Sequence, residues 1–325
     1  MREKDMEKRA VRTVRRKKIQ DLLAVLFFLL LLPYTCSALS GIRQEEAVET
    51  SGSVSGGSRE ILWEMENGVR RLSMEEFLVG ALAASMPAEY REETLKAQAV
   101  ILRSICMYEM EADGMLKKED SQLECLEEAD RRALWGEDFA ENEEKFSGAV
   151  ADTEGIVLTF EGRVVEPPYF RLSAGRTRSG AEIFGEERIT WCHSIECPHD
   201  LESEDFLQEK RYKREAFTKM LAAEGMILPD NGAKVVLTRD SAGYVLFVNC
   251  QDYQMEGEKF RKLFELPSSC FYLKEEEGEI VLQTKGVGHG LGFDQYGADL
   301  LAAEGNDYIE ILNHFFVGLS MEKME

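Results

Sequence analysis

At 325 residues, with 44% apolar residues and 17 phenylalanines, the chain is long and apolar enough to bury a sizeable core, which excludes a disordered polymer. Its formal charge of −22 is unevenly spread: residues 1–18 carry nine Lys or Arg against three acids, a net +6 that leaves −28 on the rest. So acidic a body lacks the cations that displace counterions from phosphates, which argues against nucleic acid as a ligand.

After Arg15, Arg16, Lys17 and Lys18 no charge occurs from Leu22 to Ile42, and Leu22 to Leu32 is wholly apolar. Those 21 uncharged residues can span a hydrocarbon core of about 30 Å, and the positive flank stays cytoplasmic. The pattern predicts a single-pass protein of the cell membrane, with residues 1–18 as a cytoplasmic tail, 19–42 as a transmembrane anchor, and the C-terminal body extracytoplasmic. A cleaved signal peptide is the competing reading, because Cys36-Ser37-Ala38 loosely resembles a small-residue cleavage site. Residues 43–60 are rich in Gly and Ser and read as a flexible linker, and 61–325 as the folded domain.

Ser73-Met74-Glu75-Glu76 has the Ser-x-x-Glu form of a capping box, and the apolar run behind it ends at Pro87, which predicts a short helix. Leu95, Ala99, Leu102 and Cys106 recur at helical spacing and predict a second helix from Glu92 to Tyr108, with Lys96 and Arg103 off the buried stripe. The two should form a hairpin around the Pro87 turn. Residues 111–148 are highly charged and read as helical, anchored by Trp135.

The pattern then changes to strands: Gly155–Phe160 and Arg163–Val165 across Glu161-Gly162, then Val235–Thr238 with Tyr244–Val248. Near the C-terminus a glycine-rich run, Gly286 to Gly292, leads into a helix from about Gln295 to Glu304 capped by Gly305. Asp307 opens a last helix to Phe316. The fold class is α+β: a helical hairpin packed with a mostly antiparallel or mixed sheet, the sheet lying mainly after the hairpin.

Six of the seven cysteines lie outside the apolar segment and could be disulfides, metal ligands or free thiols. Cys192, His193, Cys197 and His199 crowd together, but their spacing is not the two-plus-two arrangement of a tetrahedral site, and no cofactor is predicted. Gly at 286, 288, 290 and 292 removes every second side chain around His289, so a flat ligand or another backbone can come close.

Three separated segments resemble the stage II sporulation protein D and amidase-enhancer family. They are residues 72–104, which include Leu95-Lys96-Ala97-Gln98-Ala99, residues 153–200, and residues 286–318, with the Gly-His-Gly and Gln295-Tyr296-Gly297 signature. The resemblance implies a lytic-transglycosylase-like domain acting on peptidoglycan glycan strands already stripped of stem peptides. It also implies a partner amidase and a further membrane protein of the engulfment machinery.

Such chemistry needs a carboxyl group that protonates the glycosidic oxygen and then accepts a proton during ring closure. The family carries it as the Glu of an Ala-Glu-Met-Pro element, whereas this chain reads Ala84-Ser85-Met86-Pro87. Three readings stay open: a catalytically impaired binding module that activates an amidase, replacement of the acid by Glu89 or Glu93, or a different reaction with Ser85 as nucleophile and His289 as its base. By the same resemblance Arg103, Ser173, Thr177, His289, Gln295 and Tyr296 would bind substrate. Arg103 could equally pair with a buried acid, and Arg171 stands where the family commonly has His.

Overall fold

The computed structural model describes residues 60–65, 68–110, 115–117, 121–185, 189–228 and 235–324, all within the unit Val54–Glu325. The expected cytoplasmic tail, the anchor and nearly all of the linker lie outside these residues. Among the described residues no helix is long and apolar enough to cross a membrane.

The body opens with strands β1 (Glu60–Met65) and β2 (Gly68–Ser73), an antiparallel ribbon that Ile61 and Trp63 tie to the core. Sequence reading missed this ribbon because β2, Gly-Val-Arg-Arg-Leu-Ser, buries only Leu72 and shows no alternation. Helix α1 (Met74–Ser85) follows, with Ser73 Oγ accepting from the Glu76 amide at 3.2 Å. The capping box is only half made, since no bond returns from Glu76 to Ser73 and the Glu76 carboxylate lies 3.6 Å from Arg70.

The Pro87 turn leads into α2 (Glu92–Glu109), so the expected hairpin is present. One expectation for α2 is corrected: Arg103 is only 2% exposed and sits within the core. The cause is the helix's environment. It runs through the middle of the first core and packs against several other elements, so it has no broad solvent face on which to place the guanidinium.

The helical reading of 111–148 is met from Glu128 onward by α3 (Glu128–Trp135), a 3-10 turn and α4 (Phe139–Asp152), while the part before it holds β3 (Met115–Lys117), parallel to β1. Trp135 does anchor this region, its ring 4.9 Å from that of Phe146. Strands β4 (Ile156–Phe160) and β5 (Arg163–Val164) form the expected hairpin, with Glu161 and Gly162 at φ 51° and 73°, the left-handed pair that a tight hairpin turn requires.

Strand β6 (Tyr169–Phe170), α5 (Gly180–Phe184) and a 3-10 turn at Pro198–Glu202 lead to a second core. There β7 (Leu207–Lys213) and α6 (Arg214–Ala223) precede the antiparallel set β8 (Val236–Arg239), β9 (Val245–Cys250) and β10 (Tyr253–Glu256). Helix α7 (Gly257–Leu263) and strands β11 (Phe271–Glu276) and β12 (Glu279–Lys285) complete it, with β12 between β11 and β7. Its centre is aromatic: Phe217 stacks on Phe264 at 4.8 Å and Phe260 on Phe271 at 4.7 Å.

The chain then returns to the first core through β13 (Phe293–Asp294), parallel to β6, and helices α8 (Gln295–Ala303) and α9 (Tyr308–Phe315). Strand β14 (Ser320–Lys323) pairs with β4. The class is α+β as expected, but the described strands form five sheets of two or three strands each instead of one.

Candidate functional site

The turn between α1 and α2 is held from outside by three side chains. Gln295 Nε2, in the first turn of α8, donates to the Ser85 carbonyl at 3.1 Å and to Gln98 Oε1 at 3.3 Å. Asp299 Oδ1 accepts from the Arg91 amide at 2.7 Å and from Thr94 Oγ1 at 3.1 Å, and its second oxygen pairs with the Arg91 guanidinium. Lys145 donates to the Ala88 carbonyl at 2.8 Å. Asp299 thereby serves α2 as an N-terminal cap that Arg91, its own N-cap residue, does not supply.

Ser85 ends α1, and its hydroxyl donates back to the carbonyls of Ala81 (3.0 Å) and Leu82 (3.2 Å), the usual self-satisfied state of a serine in a helix. The buried Gln98 beside it has an amide nitrogen without a hydrogen-bond partner. Glu89 is exposed on the turn. Glu93 is committed elsewhere: it accepts from the Tyr308 amide at the start of α9 at 2.9 Å and pairs with Lys96 at 2.9 Å. Tyr90 is buried beneath the turn, and burial pushes its phenol upward, with Asp299 and Asp294 adding to the rise and Arg171 opposing it. Sequence reading did not single out Tyr90, because an aromatic after a proline turn reads as core.

Arg103 has no free donor for a glycan. It forks onto Glu75 at 3.0 and 2.5 Å, and donates to the carbonyls of Val150 (3.1 Å) and Ile156 (3.3 Å) and to Thr153 Oγ1 (3.4 Å). Of the two roles the sequence left open, the structure takes the buried ion pair.

The glycine-rich run lies against the chain's own atoms. A Cβ at Gly286 would fall 2.6 Å from Leu172 O, at Gly288 2.7 Å from Phe170 Cβ, at Gly290 2.2 Å from Tyr244 Cζ, and at Gly292 2.1 Å from Pro168 O. The alternation therefore serves close internal crossing. His289 Nδ1 accepts from the Leu291 amide at 3.1 Å, and the ring packs on Phe170 at 5.7 Å. Burial lowers its pKa to about 4, so the imidazole is neutral, and no contact joins it to Ser85 among the described residues.

The hydroxyl loop is also internal. Thr177 Oγ1 accepts from the Ile195 amide at 2.8 Å, and Ser173 donates through its amide to Asp200 at 3.0 Å and to Asp294 at 3.2 Å, and through Oγ to Asp200. The Cys192 to His199 cluster divides, with Cys192 and Cys197 buried and His193 and His199 exposed, so it does not surround one ion. All six cysteines among the described residues are free thiols. Of the expected binding set, His289 and Tyr296 are half-buried, while Arg103, Ser173, Thr177 and Gln295 are buried. Sequence reading missed Cys197, Asp200 and Asp294 as a group because their 97-residue separation hides a convergence that only the parallel pairing of β13 with β6 creates.

This is an α+β protein whose helical hairpin is clamped by a C-terminal helix following a glycine-rich crossing. A family model described as "Stage II sporulation protein" matches residues 64–160. Stage II sporulation protein D of Bacillus amyloliquefaciens is 27% identical over 292 residues, covering 87% of this chain and 84% of that protein. The Bacillus subtilis protein of the same name is 27% identical over 266 residues, 79% and 76% respectively. An uncharacterised protein of Brachyspira hyodysenteriae is 23% identical over 261 residues, covering 78% of this chain and 67% of that protein. The matches support membership of the stage II sporulation protein D family, and with it a role in sporulation.

Proposed function

We propose that the chain is a peptidoglycan-binding protein of engulfment that grips denuded glycan strands and promotes the work of a partner amidase, without itself acting as the lytic transglycosylase that the family resemblance implies. The observation that carries this reading is Ser85. A hydroxyl stands where the reaction needs a titrating carboxyl group, and it is tied back to Ala81 and Leu82. Glu89 lies four residues further along on an exposed turn, and a displacement of that kind exceeds the roughly 1 Å tolerance of acid–base catalysis. The basic and apolar N-terminal residues support a membrane-anchored placement with the acidic body outside, where neutral groups such as Tyr296 hold the sugar strand.

The test is digestion of denuded peptidoglycan by the full-length chain, comparing wild type, Glu89→Gln and Ser85→Glu by product mass, with glycan co-sedimentation and amidase turnover measured in parallel. Wild type should bind glycan and accelerate the amidase without releasing anhydro-ended products, and Ser85→Glu should gain them. Anhydro products from wild type that vanish in Glu89→Gln would establish an enzyme with a relocated acid and sink this reading.

A further inference from the structure

Beneath the α8 N-terminus three buried groups meet that the glycan-binding reading does not use. Cys197, Asp200 and Asp294 are 7%, 1% and 0% exposed, and each offers a ligand atom within 4.8 Å of the other two. Cys197 and Asp200 come from the 3-10 turn region, and Asp294 is the N-cap of α8.

Two carboxylates removed from water and set against each other cannot both stay charged without a counter-charge. The arginines on either side of Ser173 pair elsewhere: Arg171 lies 3.6 Å from Asp205, Arg176 pairs with Glu196, and Arg178 pairs with Asp240 at 2.5 Å. What the cluster receives is backbone and hydroxyl donors. Ser173 donates to both aspartates, and the Gly297 amide donates to Asp294 Oδ1 at 3.3 Å. That set leaves Asp200 Oδ1 buried with no hydrogen-bond partner, and the Cys197 thiol, 3.7 Å from the Ile195 carbonyl, also faces Ser173 and Asp294. A single proton shared between Asp200 and Asp294 would neutralise one carboxylate but would leave the other charged in the same buried pocket. A divalent cation would satisfy all three groups at once, and one thiolate with two carboxylates is a donor set suited to zinc.

We propose that Cys197, Asp200 and Asp294 bind a zinc-class divalent cation. The ion acts as a structural staple with three protein ligands, fastening the Pro198–Glu202 turn and the Ser173 loop to the N-terminus of α8. Because Gln295 follows Asp294 directly and bonds to the Ser85 carbonyl, the ion would also fix the register of the α1–α2 turn. The proposal does not depend on the glycan reading.

The test measures zinc in the full-length chain after equilibration with zinc and dialysis, for wild type, Cys197→Ser, Asp294→Asn and the control Cys270→Ser. Wild type and Cys270→Ser should retain stoichiometric zinc, while the two ligand variants should lose affinity by at least about tenfold. Should those variants fail to fold, X-ray absorption on zinc-loaded wild type decides: one sulfur with oxygen neighbours is expected, and two or more sulfurs would overturn the site. Wild type that retains no zinc would also overturn it, leaving a proton shared by the aspartates, as would zinc retained equally by Cys197→Ser and Asp294→Asn.

Discussion

Replacing Arg103 by Met separates two roles that the family resemblance leaves entangled. The substitution keeps the stem and removes a guanidinium that forks onto Glu75 and reaches Val150 O, Ile156 O and Thr153 Oγ1. Breaking a buried pair by removing one partner costs about 3–5 kcal/mol. Glu75 keeps 33% of its side chain exposed, so its stranded carboxylate is partly hydrated and the ionic loss falls at the low end of that range. The weakened carbonyls add about 1 kcal/mol more. The sum, about 4 kcal/mol, corresponds to a fall in Tm of roughly 10 °C for a domain of this size. Thermal and urea unfolding of the full-length chain measure it, and the double variant with Glu75→Gln should recover part of the loss, since the stranded charge is then gone. At a temperature where Arg103→Met is folded, its retention on glycan should equal wild type. A variant that melts within about 3 °C of wild type yet loses glycan retention would refute the argument and return Arg103 to the substrate.

The neutral, half-buried His289 makes stability depend on pH. Its folded pKa is lowered from 6.5 to about 4, so the unfolded chain binds the proton first as pH falls. Its contribution is therefore complete above about pH 6.5 and declines toward pH 4. The urea midpoint of wild type minus that of His289→Asn should fall across that window and be flat above it; a flat difference throughout would contradict the assignment. Asp299→Ala removes the cap on α2 and should cost about 1–2 kcal/mol, with faster amide exchange at Arg91 and Leu95. Gly290→Ala should abolish or severely impair folding, since its Cβ would lie 2.2 Å from the fully buried Tyr244 ring on a backbone at φ +79°. Soluble expression and near-UV dichroism report that outcome.

Local rules carried much of the fold. The hairpin around Pro87, the Glu161-Gly162 turn, and the Asp307 cap with its Glu310 partner each follow from a few neighbouring residues, and each is present. What failed was what neighbours decide. Arg103 shares α2 with Lys96, and only the elements packed around that helix determine that one charge is buried while the other remains half-exposed. The β1–β2 ribbon buries too few side chains on β2 to alternate, and β13, two residues long, is visible only through its pairing with β6. The glycine run was legible as close approach, but whether a ligand or the protein fills the space depends on Phe170 and Tyr244, which lie far away in sequence.

The position of residue 85 is fixed by groups that do not include its own side chain. Gln295 holds its carbonyl, Asp299 holds the Arg91 amide six residues on, and Lys145 holds Ala88 between them. A scaffold of this kind supplies the sub-ångström placement that acid–base chemistry demands whatever residue it presents. The unpartnered amide nitrogen of Gln98 sits one hydrogen bond from Gln295 in the same cluster, a donor in place with no acceptor to receive it. Placing a carboxylate at position 85 by Ser85→Glu is therefore a fair trial of the glycan reading, because the clamp holds backbone groups of the turn and not the Ser85 side chain.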